Sequence, residues 1–350
     1  MDTSATPTQL GYRMPAEWEP HEATWLSWPR RGGISFPGSY DAVMPVLARM
    51  VDALAESEAV NINVSDAAHE SEVRHHLAAA HARRDHVRFH HIATNEPWCR
   101  DHGPIFLTRD EAPRLAVVDW DYNAWGGKYP PFEQDDVVPV RVAEKLGLPF
   151  YSPGMVLEGG SIEVNGAGTL LTTTSCLLNP NRNPTLKQSE IERRLRDFLG
   201  ITQVLWLGDG IEGDDTDGHI DDLTRFVAKS VVVTVIEEDS SDANFEPLRA
   251  NHEALTNMTL HDGTALDLRT LPMPRAIVRE GQRLPASYAN FYIANSVVLL
   301  PIFADPADAE AIKVLAQAFP QREIVPIDCR ELIWGLGAFH CLTQQQPKVA

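Results

Sequence analysis

Residues 161–207 read SIEVNGAGTLLTTTSCLLNPNRNPTLKQSEIERRLRDFLGITQVLWL and contain one complete structural unit. Two β-rich runs, 161–164 and 169–173, flank the turn Asn165-Gly166-Ala167-Gly168 and predict a hairpin. A helix over 190–199 follows. Ile191, Leu195, Phe198 and Leu199 fall on one face, Ser189 and Glu192 read as a capping box, and Gly200 supplies the stop. The run 203–207 predicts a closing strand, so the order is strand, strand, helix, strand.

The same order recurs on both sides. Upstream, strands over 105–108 and 115–119 precede a helix over 136–146 and a strand over 149–151. Downstream, strands over 224–228 and 231–235 lead to a helix over 244–257 and a strand over 268–271. A fourth unit has strands over 291–294 and 297–300 and a closing strand over 323–327. Its helix opens with Asp305 as N-cap and Pro306 in the first turn, and buries Ile312, Leu315, Ala316 and Phe319. One strand remains, over 341–343. It is expected to pair with 23–28, which leads into a helix over 41–55 and a strand over 60–64.

The expectation is an α/β fold: a β/α propeller of five pseudosymmetric ββαβ units, the fifth assembled from both chain ends, around a central site. The first strands start near 104, 161, 224, 291 and 341, and a helix and strand over 67–91 are an insertion. Closure by the two termini makes 1–350 a single domain, with 1–10 expected to be flexible.

With 350 residues and 43% hydrophobic composition the chain can bury a large core. Thirty basic against 49 acidic residues give a net charge of −19, which argues against nucleic acid or an anionic membrane as partner and favours a cationic ligand. The four cysteines, Cys99, Cys176, Cys329 and Cys341, form no CxxC pair and imply reduced thiols. The opening MDTSATPTQL lacks a secretory pattern and no apolar run approaches a membrane span, so a soluble cytoplasmic protein is expected.

The chemistry-bearing residues lie just before the first strands. Trp98-Cys99-Arg100-Asp101-His102-Gly103-Pro104 precedes the first unit, Leu157-Glu158-Gly159-Gly160 the second, and Asp214-Asp215-Thr216-Asp217-Gly218-His219-Ile220-Asp221 the third. Gly337-Ala338-Phe339-His340-Cys341 precedes the last. In a ring of similar units these ends converge on one axis. The set then comprises carboxylates at Asp101, Glu158 and Asp221, an imidazole at His219 and a thiol at Cys341, with glycine giving the backbone room at a crowded centre.

Together with Met14-Pro15-Ala16-Glu17-Trp18-Glu19-Pro20-His21, Asn123-Ala124-Trp125-Gly126-Gly127-Lys128, LNPNRNP over 178–184 and HCLTQQ over 340–345, these segments resemble the agmatine deiminases and the bacterial, Porphyromonas-type peptidylarginine deiminases grouped with them. The resemblance runs from about residue 11 to 347. It implies the pentein fold and hydrolysis of a guanidinium to a ureido group with release of ammonia, a step of putrescine and polyamine biosynthesis when agmatine is the substrate. Carried over by position, the nucleophile falls on Cys341, the general acid and base on His219, the guanidinium-binding carboxylates on Asp101 and Asp221, and a further contact on Glu158.

The chemistry is consistent with that assignment. A guanidinium stays charged, and paired carboxylates can hold its planar N–H fork. A free thiol of pKa about 8.5 is only about 3% ionised at pH 7, a deficit of roughly 2 kcal/mol. A cation about 4 Å away supplies on the order of 4 kcal/mol at an effective dielectric of about 20, so Cys341 is expected to ionise chiefly with substrate bound, beside a protonated His219. No metal or organic cofactor is called for.

The partner expected is a small cationic guanidine, with a homodimer or higher homo-oligomer compatible with the sequence. For agmatine, Trp98, Asp101, Asp221, Asp214 and Asp215 are the substrate-binding candidates, and Glu212, Asp214 or Asp215 would meet the distal ammonium. Free arginine would want a basic partner, for which Arg182 is the visible candidate, and peptidyl-arginine an open cleft. The sequence departs from the family at Ala338, where the residue before Phe339-His340-Cys341 is usually Asn, and at Ser161-Ile162-Glu163 and Asp221-Asp222. Two rivals are a metal-dependent hydrolase built on His219 and Asp221, which lacks a HExxH, HxH or paired-cysteine motif, and a polyamine-binding protein without turnover.

Overall fold

The structure is a computed structural model that describes residues 5–349. Among these residues the strands form six sheets, none of them closed on itself, and five repeat one plan: an antiparallel pair followed by a parallel third strand. The first sheet pairs Ile105–Thr108 with Leu115–Val118 and adds Phe150–Tyr151. The second contains Glu163–Val164, Thr169–Thr173 and Gln203–Leu207. The third contains Thr224–Ala228, Val231–Ile236 and Asp267–Pro272. The fourth contains Tyr292–Ile293, Val297–Ile302 and Glu323–Asp328.

The fifth draws on both chain ends. Thr343–Pro347 runs antiparallel to His21–Ser27, which pairs in parallel with Ala59–Val64. The segment read as an insertion extends this sheet: the helix Ala67–Ala79 leads to Val87–His91, parallel to Ala59–Val64. Parallel neighbours need a crossover, and a helix supplies it in every unit. These helices are Val138–Leu146, Gln188–Leu199, Phe245–Thr256, Asp308–Ala318 and Tyr40–Leu54.

Side-chain packing joins each unit to the next. Ile105, Leu107 and Val118 share one core with Val164, Leu170 and Ile191, which unites the first two sheets. Phe245–Thr256 touches Gln203–Leu207, Asp308–Ala318 touches Asp267–Pro272, and Tyr40–Leu54 lies against Val297–Ile302 and Glu323–Asp328. Thr343–Pro347 in turn meets Ile105–Thr108.

Several local expectations are corrected. Helix 188–199 is capped not by Ser189 and Glu192 but one turn edge earlier, where the Glu190 carboxylate accepts the Lys187 N–H at 2.9 Å. Asp305 and Pro306 stand before the fourth unit's helix, which starts at Asp308; Asp305 instead accepts the Ala307 N–H at 2.9 Å. That helix buries Ala311 and Leu315, while Ala316 faces solvent. Ser161 belongs to the 3-10 turn Gly159–Ser161 and Cys341 to the short helix Phe339–Leu342, so neither lies in a strand. The expected flexibility of 1–10 falls partly outside the described residues, at 1–4, and Thr8–Leu10 form a 3-10 turn tied to Arg196 O through Thr8 Oγ1 at 2.6 Å.

Candidate active site

Short helical turns at the entrances of the strands aim the reactive groups. Asp101 sits on the turn Cys99–His102, which Gly103 closes where an added Cβ would lie 2.1 Å from Cys99 O. Asp101 Oδ1 accepts the Gly160 N–H and Oδ2 the Trp125 indole N–H, both at 3.0 Å. Glu158 precedes the turn Gly159–Ser161, and its Oε1 accepts Arg182 Nε–H at 2.6 Å. His219 and Asp221 flank the start of the turn Ile220–Asp222, and Cys341 lies on Phe339–Leu342.

The segments expected to converge do so. His219 Nδ1 lies 3.7 Å from Asp101 Oδ1 and 4.0 Å from Asp221 Oδ1, and Cys341 Sγ is 3.6 Å from Asp221 Oδ2. At the middle stands Gly160. A Cβ there would lie 2.6 Å from His219 Nδ1, 2.7 Å from Asp101 Oδ1 and 3.0 Å from Asp221 Oδ2, so only glycine leaves the space between these groups. Four buried polar atoms of this cluster make no hydrogen bond to the described residues: both ring nitrogens of His219, Asp221 Oδ1 and Glu158 Oε2. Buried polar groups are ordinarily paired, so these are atoms arranged for something else.

A cavity of about 180 Å³ opens onto Asp101 and Cys341 and is lined further out by Trp98, Trp125, Tyr129, Trp334, Glu96 and Asp215. Among the described residues, no lysine or arginine lines it. Asp215 accepts the Tyr129 hydroxyl, and Lys128 Nζ stands 3.7 Å from its Oδ1. The Glu96 carboxylate accepts the N–H groups of Ile34 and Ser35, each at 3.0 Å.

Burial pushes Asp101 up to about 6; His219 pulls against that rise, while Asp221 and Glu158 add to it. For His219, burial opposes the charged ring, but Asp101, Cys176 and Asp221 outweigh it and hold the pKa well above 6.5. At neutral pH the pair is imidazolium and carboxylate. Burial also works against the Asp221 anion, yet His340 and His219 keep its pKa below 3.8. Cys341 is driven well above 9 by burial and by Asp221, Asp222 and Asp101, against the opposing hydrogen bond from Asn290. The thiol therefore stays protonated until a cation offsets those carboxylates.

Two candidates lie elsewhere than expected. The Asp214 carboxylate faces its own loop, accepting Thr216 N–H at 2.8 Å, Thr216 Oγ1–H at 2.5 Å and His219 N–H at 2.9 Å, and so fixes the backbone that carries His219. Glu212 lines a separate groove with Asn244 and Arg283. Arg182 is equally committed: its buried guanidinium bridges Glu158 to Asp217 Oδ2 at 2.6 Å and donates to Thr216 O at 2.9 Å. Glu158, Cys176 and His219 also bring ligating atoms within 4.8 Å of one another, with the Arg182 cation already seated on that carboxylate.

Four neighbours of the reactive set were not singled out from sequence. Trp125 orients Asp101, Asn290 donates to Cys341 Sγ at 3.0 Å, and His340 links Asp221 to Glu17. Glu17 in turn receives Arg225 at 2.8 Å and Arg100 at 3.1 Å in a fully buried network. Trp125, His340 and Glu17 stood inside motifs quoted above; Asn290 occupies the entrance of the fourth unit, the position that yields functional residues in the other four.

A buried thiol, an imidazolium and three carboxylates gathered behind one cavity suit a small cationic group. The chain belongs to the Porphyromonas-type peptidyl-arginine deiminase family, whose model matches residues 13–347. It is 38% identical over 369 residues to an agmatine deiminase of Pseudomonas aeruginosa, covering 98% of each chain. A solved agmatine deiminase of Enterococcus faecalis superposes with a TM-score of 0.92 at 34% identity, covering 99% of this chain and 98% of that one. An inosamine-phosphate amidinotransferase from Streptomyces griseus shares only the fold, with a TM-score of 0.50 and 13% identity over 97% of both chains.

Proposed function

We propose that the protein hydrolyses the guanidinium of agmatine to N-carbamoylputrescine and ammonia. The observation that carries this reading is the cavity that opens onto Asp101 and Cys341, with His219 3.7 Å from Asp101 and Asp221 3.6 Å from the thiol. A planar cation with N–H groups on every edge fits that pattern of acceptors. Asp101 and Asp221 hold its fork, Glu158 takes a further N–H, and the guanidinium charge lets Cys341 release its proton to solvent through the open cavity.

The Cys341 thiolate attacks the guanidinium carbon, forming the C–S bond. His219 gives its proton to the departing nitrogen, the C–N bond breaks and ammonia leaves a thiouronium-type intermediate. Water then adds to the same carbon, one of its protons passing to His219, and the C–S bond breaks as the ureido product forms, the second proton returning to the Cys341 sulfur. These steps draw on side chains alone.

Agmatine is favoured over free arginine because, among the described residues, the charged side chains lining the cavity are acids, and the neighbouring Lys128 is already paired with Asp215 and Asp217. Asp215, with Glu96 across the same cavity, is placed to receive a distal ammonium, and Trp98 flanks the chain. The repeated units and their neighbour-to-neighbour packing support a fivefold pseudosymmetric propeller forming one domain, with the site at its axis. One ammonia-release assay with agmatine, arginine and a peptidyl-arginine tests the substrate. Agmatine should exceed both by about 100-fold or more in kcat/KM; comparable turnover of arginine would overturn the choice.

A further inference from the structure

We propose that Asn290 is a further catalytic residue, whose side-chain N–H bonds the sulfur of Cys341 and stabilises the thiolate at the start and the end of the reaction. The geometry fixes which end of the amide faces the sulfur. Asn290 Oδ1 accepts the backbone N–H groups of His340 at 3.1 Å and Cys341 at 3.3 Å, two donors that can face only the oxygen. Nδ2 is thereby turned to Cys341 Sγ at 3.0 Å, and its second hydrogen goes to Asp222 Oδ1 at 2.9 Å. Every donor and acceptor of the amide is used, at a residue 1% exposed. The loop behind it is also held, since Ser287 Oγ donates to Asp222 O at 2.8 Å and accepts the Ala289 N–H at 3.1 Å.

The sequence departure at Ala338 belongs to the same arrangement. Ala338 begins the turn that carries Cys341 and has no polar side chain to receive its N–H groups. Asn290 receives two of them from another unit, and in doing so brings its own N–H to the reacting atom. The sulfur carries negative charge before the C–S bond forms and again after it breaks. A charge-assisted N–H···S bond therefore assists ionisation first and departure last. The surroundings otherwise oppose that charge, for Asp221, Asp222 and Asp101 all stand near the thiol and Asn290 is the neutral donor in contact with it.

The inference rests on Cys341 being the nucleophile, and its test is read without substrate. The pH profile of Cys341 alkylation by iodoacetamide is compared for the unsubstituted protein, Asn290→Ser and Asn290→Ala. Both variants take the amide N–H away from the sulfur without adding a charge beside it, and the second keeps the comparison readable if the first does not fold. The inflection should rise by about one pH unit or more, and kcat on agmatine should fall by about 10- to 100-fold with KM changing less than about threefold. An inflection that stays in place, in a variant with a native melting transition, overturns the proposal even if kcat falls, because a purely structural role would give that result. Absence of ammonia release by the unsubstituted protein would instead overturn the substrate reading and leave the alkylation comparison intact.

Discussion

His340 Nδ1 lies 2.7 Å from Asp221 Oδ2, and the same ring reaches Glu17 Oε2 through Nε2 at 2.9 Å. Both acids are held below their ordinary pKa, despite burial, by basic neighbours, so both are carboxylates that can only accept. The ring of His340 is therefore the hydrogen-bonding link between the site and the buried network of Glu17, Arg100 and Arg225. Its replacement should act on both. His340→Ala leaves two buried anions short of a donor and should cost about 3 kcal/mol of stability by urea denaturation. It should also lower kcat/KM by about 10- to 100-fold, since Asp221 loses the bond that aims it. Full activity with unchanged stability would show that the ring is not the link.

Gly160→Ala is the smallest change that crowds the reactive groups. Gly160 is not at positive φ, so the backbone accepts alanine, and the penalty is the methyl group 2.6 to 3.0 Å from His219, Asp101 and Asp221. The expected result is a folded protein whose kcat/KM on agmatine falls by more than about 100-fold. Activity within about tenfold of the unsubstituted protein would show that catalysis does not depend on the close spacing of these three side chains.

How far these features could be read from sequence varies with their cause. The five repeated units were legible because each announces itself by alternating β-rich runs, a helix with its stop and a parallel return. The converging acids, imidazole and thiol followed from asking what precedes each first strand. The same question, asked of the fourth unit, points to Asn290, but an asparagine before a two-residue strand has no chemistry of its own until a sulfur is seen beside it. Asp214 misled for a related reason. An acid in an acidic run looks like a cation ligand, yet three local donors capture it, and only coordinates show where a short side chain turns. The link from Glu17 to His340 spans nearly the whole chain and leaves no periodicity to detect.

Asp101 ties stability to pH with a defined sign. Its pKa is raised to about 6 in the folded protein from 3.8, so the folded state holds the proton more tightly and stability declines as pH climbs from about 4 to about 6. Asp101→Asn removes that dependence along with activity. Over this window the stability of the unsubstituted protein relative to Asp101→Asn should fall by about 2 kcal/mol. Denaturation curves at pH 4 and 6 give the double difference, and a constant gap would mean that the Asp101 pKa is not raised.

The four thiols should separate sharply in reactivity. Cys99, Cys176 and Cys329 are fully enclosed at 0% exposure, whereas Cys341 keeps 6% and lines the cavity. Burial pushes Cys99 up to about 12 and Cys329 well above 9, so neither access nor ionisation favours them. Mass spectrometry after iodoacetamide treatment of the native protein should find Cys341 alone modified, slowly at pH 7 and faster above pH 9. A thiol already fully ionised at pH 6 in the free protein would contradict activation by the bound cation. Cys341→Ser should abolish turnover yet still bind agmatine, because the carboxylates rather than the sulfur hold the guanidinium. Ligand at about 100 times its Kd should then stabilise that variant by about 2.7 kcal/mol, seen as a rise in Tm. A Tm unmoved by agmatine would separate the carboxylate cluster from the substrate assigned to it.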